Sequence, residues 1–343
     1  MTDMYEFSPR ERLQRTFEKK IVDRPPVICP GGMMNAAVTD VMKKRGRILP
    51  DAHHTGALMR ELALDVHAET GFENIGIPFC MTIEAEALGS DVDYGTLECE
   101  PKIVKEPFPS VKETEFRASG AIQKNARAQA VIGVIDSLSK SHPDVPVIGS
   151  ITGPLSAAAS IVDPMTFLKE LRRERDGAHR LLDYVTGQLA DYARLMADNG
   201  AAAISIADPT ATGEILGPKM FAEYAVVYLN ALTDAIHETG VPVIVHICGN
   251  VKMVQAQLAE LRSEALSVDA LVNLGRLKKE IGVPTTMGNL STYLLEFADP
   301  EKVYENTQVL LKQEIDILAP ACGLSTSTPL KNITAFTEAV RER

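Results

Sequence analysis

Val241-Pro-Val-Ile-Val-His-Ile-Cys-Gly-Asn250 is a short apolar run that opens beside a proline and stops at a glycine. Apolar residues at successive positions, rather than alternate ones, are what a parallel strand covered on both faces requires. The pattern recurs along the chain. We count eight such runs. Strand one starts near Val27, strand two is Asn74–Phe79, strand three Val145–Ser150 and strand four Ala202–Ile206. Strand five is Val241–His246, strand six Val268–Val272, strand seven Val283–Gly288 and strand eight Asp316–Pro320. Each is bounded by Pro, Gly or Asp.

Helical periodicity fills the intervals. It is clearest over Thr166–Asn199, with Leu168, Leu171, Leu181, Leu182, Val185 and Leu189 on one face, and over Pro218–Thr239. Val251–Ser263 and Pro300–Glu314 follow the same spacing. Strands alternating with helices predict an α/β fold of the (β/α)8 TIM barrel type, one domain over residues 1–343. Residues 1–24 form an N-terminal helical extension, with Ser8-Pro9 opening a charged helix from Arg10 to Lys20. A long insertion separates strands two and three. Within it Val92–Pro101 has the look of a hairpin and Phe116–Ser139 of a helix. Long βα connections of a barrel shape the mouth of its site.

The bulk properties exclude several classes. The 343 residues carry a formal net charge of −11, a poor match for nucleic acid. No stretch approaches the ~18 apolar residues of a membrane span, and the first residues lack the apolar core of a signal peptide. Five widely spaced cysteines do not form a disulfide framework. A cytoplasmic protein with reduced thiols is expected.

His246 and Cys248 stand two apart at the end of strand five, so both point to one side. Cys322, in Ala319-Pro-Ala-Cys-Gly323, follows strand eight. Catalytic groups of a barrel gather where its strands end, so both positions face one cavity. One imidazole and two thiols are a zinc-type donor set. Three protein ligands leave a fourth position open, as catalytic zinc sites do. A lone Cys or His on an apolar strand is more often a core residue, and Cys29, Cys80 and Cys99 keep that reading; Cys29 and Cys80 also lie near strand ends. Glu84, after strand two, is a catalytic candidate, as an extra metal ligand or a partner for His246, against the plain reading of a helix N-terminal acid. Asp208, after strand four, is a second catalytic candidate as a pocket-lining acid, against the plain reading of a turn or cap residue. Asn289, after strand seven, is a cofactor-binding candidate. His53 and His54 are expected at the surface.

The His-x-Cys-Gly after strand five and the Pro-Ala-Cys-Gly before the last helix resemble the methylcobamide:coenzyme M methyltransferases of the uroporphyrinogen decarboxylase superfamily. Ile77-Pro-Phe-Cys-Met-Thr-Ile-Glu-Ala-Glu-Ala-Leu-Gly89, Gly149-Ser-Ile-Thr-Gly-Pro-Leu155 and Thr326-Ser-Thr-Pro-Leu-Lys-Asn332 carry the same likeness. The resemblance implies that zinc binds the thiol of a small methyl acceptor while a corrinoid protein delivers methylcobamide as co-substrate. Two thiolates and a neutral imidazole bring Zn²⁺ near zero formal charge, and an acceptor thiol bound there sheds its proton yet stays electron-rich. It attacks the methyl group of methyl-cobalt(III), leaving cobalt(I). The acceptor is a coenzyme M-like thiol or tetrahydrofolate. The loop after strand one, Pro30-Gly-Gly-Met-Met-Asn35, departs from the family: the decarboxylases carry arginines there, and here the nearest basic residues are Lys43 and Lys44. A decarboxylase or a non-catalytic corrinoid- or tetrapyrrole-binding protein are the alternatives.

Overall fold

The computed structural model describes residues 6–282 and 285–342. Seven parallel strands form a curled sheet in the order β1 (Ile75–Ile77), β4 (Val147–Thr152), β5 (Ala203–Ala207), β6 (Val243–Ile247), β7 (Ala265–Val268), β8 (Thr285–Leu290) and β9 (Ile317–Pro320). The two strands missing from that order, β2 (Asp91–Asp93) and β3 (Lys102–Lys105), form a separate antiparallel hairpin in the insertion. The stretch expected as strand one contributes a single parallel bridge, Val27 to Leu318. Its backbone still reaches both edges of the sheet. Ile28 N–H donates to Leu318 O at 2.9 Å, and Glu73 N–H donates to Val27 O at 2.8 Å. The Asn74 side chain replaces the next ladder rung, accepting from Cys29 N–H at 2.8 Å and donating to Cys29 O at 2.9 Å. The architecture is TIM-barrel-like.

Alternation along each strand sorts its side chains. Ile148, Ala203, Ile244, Ala265, Met287 and Ile317 share one buried cluster with Leu13. Their neighbours Val147, Ile204, Val243, Val245 and Leu266 pack into the large cluster with the helices. Leu13 arrives from the N-terminal helix Pro9–Phe17, which Ser8 caps through Glu11 N–H and Pro9 opens. An ionic network fastens this end. Buried Arg12 donates to Asp23 at 2.8 and 2.7 Å and to Glu73 at 2.7 Å, while Arg24 donates to Glu73 at 2.6 Å. Glu73 also accepts from Val27 N–H at 3.0 Å, so the network holds the bridging segment directly.

Several boundaries differ from the sequence reading. Strand six was expected over Val268–Val272, but the ladder ends at Val268. Beyond it Asp269 turns the chain, accepting from Leu271 N–H at 3.0 Å, and Leu271 is exposed. The first two residues of expected strand seven lie outside the described residues. Thr166–Asn199 is two helices, Pro164–Arg173 and Arg175–Asp198, because Glu174 leaves helical geometry at φ −127°, ψ 51°. The helix expected from Phe116 starts only at Ala126, where Asn125 caps the N–H groups of Arg127 and Ala128; Gly120 upstream has φ +74°. Val251–Ser263 keeps only two single turns, Lys252–Val254 and Gln255–Leu258. No helix among the described residues is long and apolar enough to cross a membrane.

Candidate metal centre

Ile244 and His246 are two residues apart on β6, so His246 points the same way as Ile244, into the barrel. His246 is fully buried. Its register partner on β7 is Ser267, also fully buried, and His246 Nδ1 lies 2.9 Å from Ser267 Oγ. That contact turns Nε2 toward Cys248, whose Sγ is 3.2 Å away. Cys248 Sγ is 3.6 Å from Cys322 Sγ, delivered by the end of β9. All three ligand atoms lie within 4.8 Å of one another. Tetrahedral zinc with bonds of ~2.3 Å to sulfur and ~2.0 Å to nitrogen implies separations of ~3.8 Å (S to S) and ~3.6 Å (S to N). The donor set fits the ion, and the Cys248–Cys322 and His246–Cys248 separations lie within about 0.5 Å of those values. Ser267 supplies the outer-shell contact by which a ligating imidazole is oriented.

The two thiols are unequal. The contact with Cys248 lowers the Cys322 thiol; His246 and the Gly323 N–H act in the same direction against burial. The same contact pushes the Cys248 thiol up. The two thiols titrate as a coupled pair, and a cation bound between them would displace their protons.

The other sequence candidates fall around the centre in different roles. Glu84 is buried in the short helix Ile83–Leu88. Its Oε1 accepts from Thr152 N–H at 2.8 Å and its Oε2 from Thr152 Oγ1 at 3.2 Å. Burial raises its carboxyl. The contact imagined between Glu84 and His246 is made by Ser267 instead. Asp208 is fully buried after β5 and caps the helix Pro154–Ala159. Its carboxylate takes Leu155 N–H at 3.0 Å, Ser156 N–H at 2.9 Å and Ser156 Oγ at 2.6 Å. Burial, opposed by these bonds, pushes it up to about 6. A Cβ on Gly153 would stand 2.4 Å from the Asp208 Cβ, so this position needs glycine. Asn289 Nδ2 donates to Asp269 O at 2.9 Å and Val272 O at 2.7 Å, fastening the loop after β7.

His53, expected at the surface, is buried, and burial pushes its imidazole down to about 3. His54 is exposed and packs edge-on against Tyr94. Cys29 is buried against Met34 O at 2.8 Å. Cys80 receives the Arg127 Nη2 donor at 3.0 Å. Sequence reasoning missed Ser267, Arg127, Asn35 and Glu100. Ser267 was findable in principle as a polar residue inside a buried strand, but strand six was drawn three residues too late.

The uroporphyrinogen decarboxylase (URO-D) family model matches residues 8–343. The chain is 31% identical over 340 residues to the methylcobamide:CoM methyltransferase MtaA of Methanosarcina barkeri, covering 98% of each. It is 31% identical to the methylcobamide:CoM methyltransferase MtbA of Methanosarcina acetivorans, covering 98% of this chain and 99% of that one. A solved methyltransferase structure from Methanosarcina mazei superposes with a TM-score of 0.90 at 29% identity, over 98% of this chain and 99% of that one.

Proposed function

We propose that this chain, which belongs to the uroporphyrinogen decarboxylase (URO-D) family, is a zinc-dependent methyltransferase moving a methyl group from methylcobamide to a small acceptor. The observation that carries the reading is the meeting of His246 Nε2, Cys248 Sγ and Cys322 Sγ within 4.8 Å, at the ends of β6 and β9. These three residues would hold the ion. Similarity to methylcobamide:CoM methyltransferases over nearly the whole chain supports methylcobamide as the donor. We read the fold as one (β/α)8 barrel domain, with the Val27 segment as first strand, and place the protein in the cytoplasm. A corrinoid protein is the partner, and a coenzyme M-like thiol or tetrahydrofolate the acceptor.

Zinc at this site supplies a Lewis acid that lowers the pKa of an acceptor thiol and leaves a nucleophilic thiolate. The chain does the rest by placement. Ser267 fixes the ring of His246, so Nε2 faces the thiols. Cys248 and Cys322 would give up their thiol protons to hold the ion, which makes affinity fall with falling pH. Asp208 holds the Pro154–Ala159 helix against the end of β5, one register step from His246. Glu84 ties the segment after β1 to Thr152. Both carboxylates are positioning residues in this reading, and Asn289 shapes the cofactor side by fastening the loop after β7. Little general-base chemistry is needed, since the work is bringing a thiolate and a methyl group into line.

The test is zinc content by elemental analysis together with anaerobic demethylation of methylcobalamin, followed by cobalt(I) absorbance. Coenzyme M, homocysteine and tetrahydrofolate serve as acceptors. About one zinc per chain and turnover with at least one acceptor are expected. Zinc-loaded protein that turns over none of them overturns the reading. Porphyrinogen decarboxylation by the same preparation would replace it, although the Pro30–Asn35 loop has no arginine for substrate carboxylates.

A further inference from the structure

We propose that Cys248 and Cys322 are a site of reversible oxidative modification: when no ion is bound, a peroxide joins them in a disulfide that takes the place of the metal. The inference rests on the reading of these thiols as metal ligands and gives them a second chemistry. Cys248 Sγ and Cys322 Sγ are 3.6 Å apart, from positions 74 residues apart in the chain. Among the described residues no second pair of cysteine sulfurs is in contact. Cys29 Sγ is held 2.8 Å from Met34 O, Cys80 Sγ lies 3.0 Å from Arg127 Nη2, and Cys99 Sγ lies 3.7 Å from Glu100 O. Cys29 and Cys80 are buried, whereas Cys248 and Cys322 are half-buried and open to a small oxidant.

The remaining gap is small. Disulfide sulfurs stand about 2.05 Å apart, so each sulfur needs to move by less than ~1 Å. The ladder of β6 stops at Ile247 and that of β9 at Pro320, so both cysteines stand just outside the strands. A glycine follows each, and Gly249 has φ +72°. In the sheet β7 and β8 lie between β6 and β9, so the bond spans the rim of the barrel rather than one strand pair. The step balances with hydrogen peroxide as the oxidant. One sulfur, as thiolate, attacks a peroxide oxygen, expels hydroxide and becomes a sulfenic acid. The second sulfur displaces the sulfenic oxygen, which leaves as water with the second thiol's proton. Two electrons pass from the sulfurs to the peroxide, whose oxygens end as one hydroxide and one water. The bond and the ion exclude each other. Tetrahedral zinc requires two thiolates ~3.8 Å apart, and disulfide sulfurs have neither that charge nor that separation. A bound ion in turn occupies the lone pairs that would attack the peroxide.

The test uses full-length protein, metal-free and zinc-loaded, treated with a small excess of hydrogen peroxide in oxygen-free buffer. Free thiols are counted, and peptides are mapped after alkylation without reduction. Metal-free protein should lose two of its five thiols, recovered as one linked peptide pair carrying Cys248 and Cys322. The linked protein should take up no zinc, and dithiothreitol should restore both the thiols and zinc uptake. Zinc-loaded protein should keep this pair reduced over the time in which the metal-free protein loses it. Cys99→Ser, which lacks the exposed thiol, should lose the same pair. Cys322→Ser should give no link and should gain oxygen at Cys248 instead. Thiol loss without a Cys248–Cys322 link, or linked protein that still binds zinc, overturns the inference. A missing link in protein that loads zinc normally leaves the metal centre standing. A link that forms in protein unable to load zinc even when reduced overturns the metal centre, and with it the exchange of ion for bond.

Discussion

At the base of the barrel, Arg12, Arg24, Asp23 and Glu73 answer one another's charges at 2.6–2.8 Å, and Glu73 still has an oxygen for the Val27 N–H. At the rim, His246, Cys248 and Cys322 have mainly each other and Ser267, and Glu100 has one amide. The base is electrostatically closed; the rim is left incomplete. Ion pairs buried in protein are costly to break but do nothing for a ligand. Donor groups held together without an answering charge are what a cation and its ligand can complete. The contrast divides the molecule into a stabilising end and a reacting end, as barrels generally are.

The sharpest way to break that division is at the thiols. Cys322→Ala and Cys248→Ala should each take zinc from about one per chain to near zero and methyl transfer to background. Thermal unfolding of the metal-free variants should match metal-free wild type, because neither thiol belongs to the apolar clusters of the barrel. A variant that keeps its zinc would remove the centre from this site. A variant that unfolds without metal would mean that the rim carries stability after all.

Glu73→Ala should do the reverse. It leaves Arg24 and part of Arg12 unpaired in buried surroundings and frees the Val27 N–H, at a cost of about 3–5 kcal/mol. Denaturant unfolding reads the loss, and zinc per folded chain should stay unchanged. Lowered zinc occupancy in folded Glu73→Ala would show the two ends to be coupled.

The parts of this division differed in how legible they were. The meeting of His246, Cys248 and Cys322 could be read because it needs only strand ends and a two-residue period, which local patterning carries. Seven of the eight strands were likewise apolar runs between Pro, Gly and Asp. Val27 was harder: half its ladder is the side chain of Asn74, and no period announces that a side chain will replace backbone. Ser267, Arg127 and Glu100 were illegible for a related reason. Each acts through a partner distant in sequence, Ser267 through strand register and Glu100 through a hairpin folded back on Asn35. The base network shares this feature, since Arg12 and Glu73 are 61 residues apart.

Asp208 sits between the two regions, buried like the base and adjacent to the rim, and pH distinguishes its character. Its folded carboxyl is raised to about 6 from an ordinary 3.8. Between those values the folded state binds more protons than the unfolded one, so stability falls as pH rises from about 4 to about 6 and levels off above. The shift bounds this contribution at about 3 kcal/mol. Asp208→Asn has no such proton, so its urea midpoint should vary less across that window than that of wild type. Equal slopes would show that the Asp208 carboxyl is not raised on folding. Glu84, also raised by burial, remains in both proteins and cancels in the difference.

The smallest effect should come from Ser267→Ala. The hydroxyl is fully buried and meets His246 Nδ1 at 2.9 Å. Removing it leaves the three donors in place but lets the imidazole choose its tautomer and angle without guidance. Outer-shell losses of this kind typically lower metal affinity about 10- to 100-fold. Competition for zinc against a chelator should show that drop, with full loading recovered at high zinc and the unfolding midpoint of the metal-free protein nearly unchanged. The comparison of ends makes this outcome specific. A hydroxyl belonging to the stabilising core would cost stability with metal affinity intact, whereas one belonging to the reacting rim costs affinity with stability intact. Ser267→Thr, which keeps the hydroxyl, should recover most of the affinity, and failure to do so would mean that volume at this position, rather than the contact to Nδ1, governs the metal.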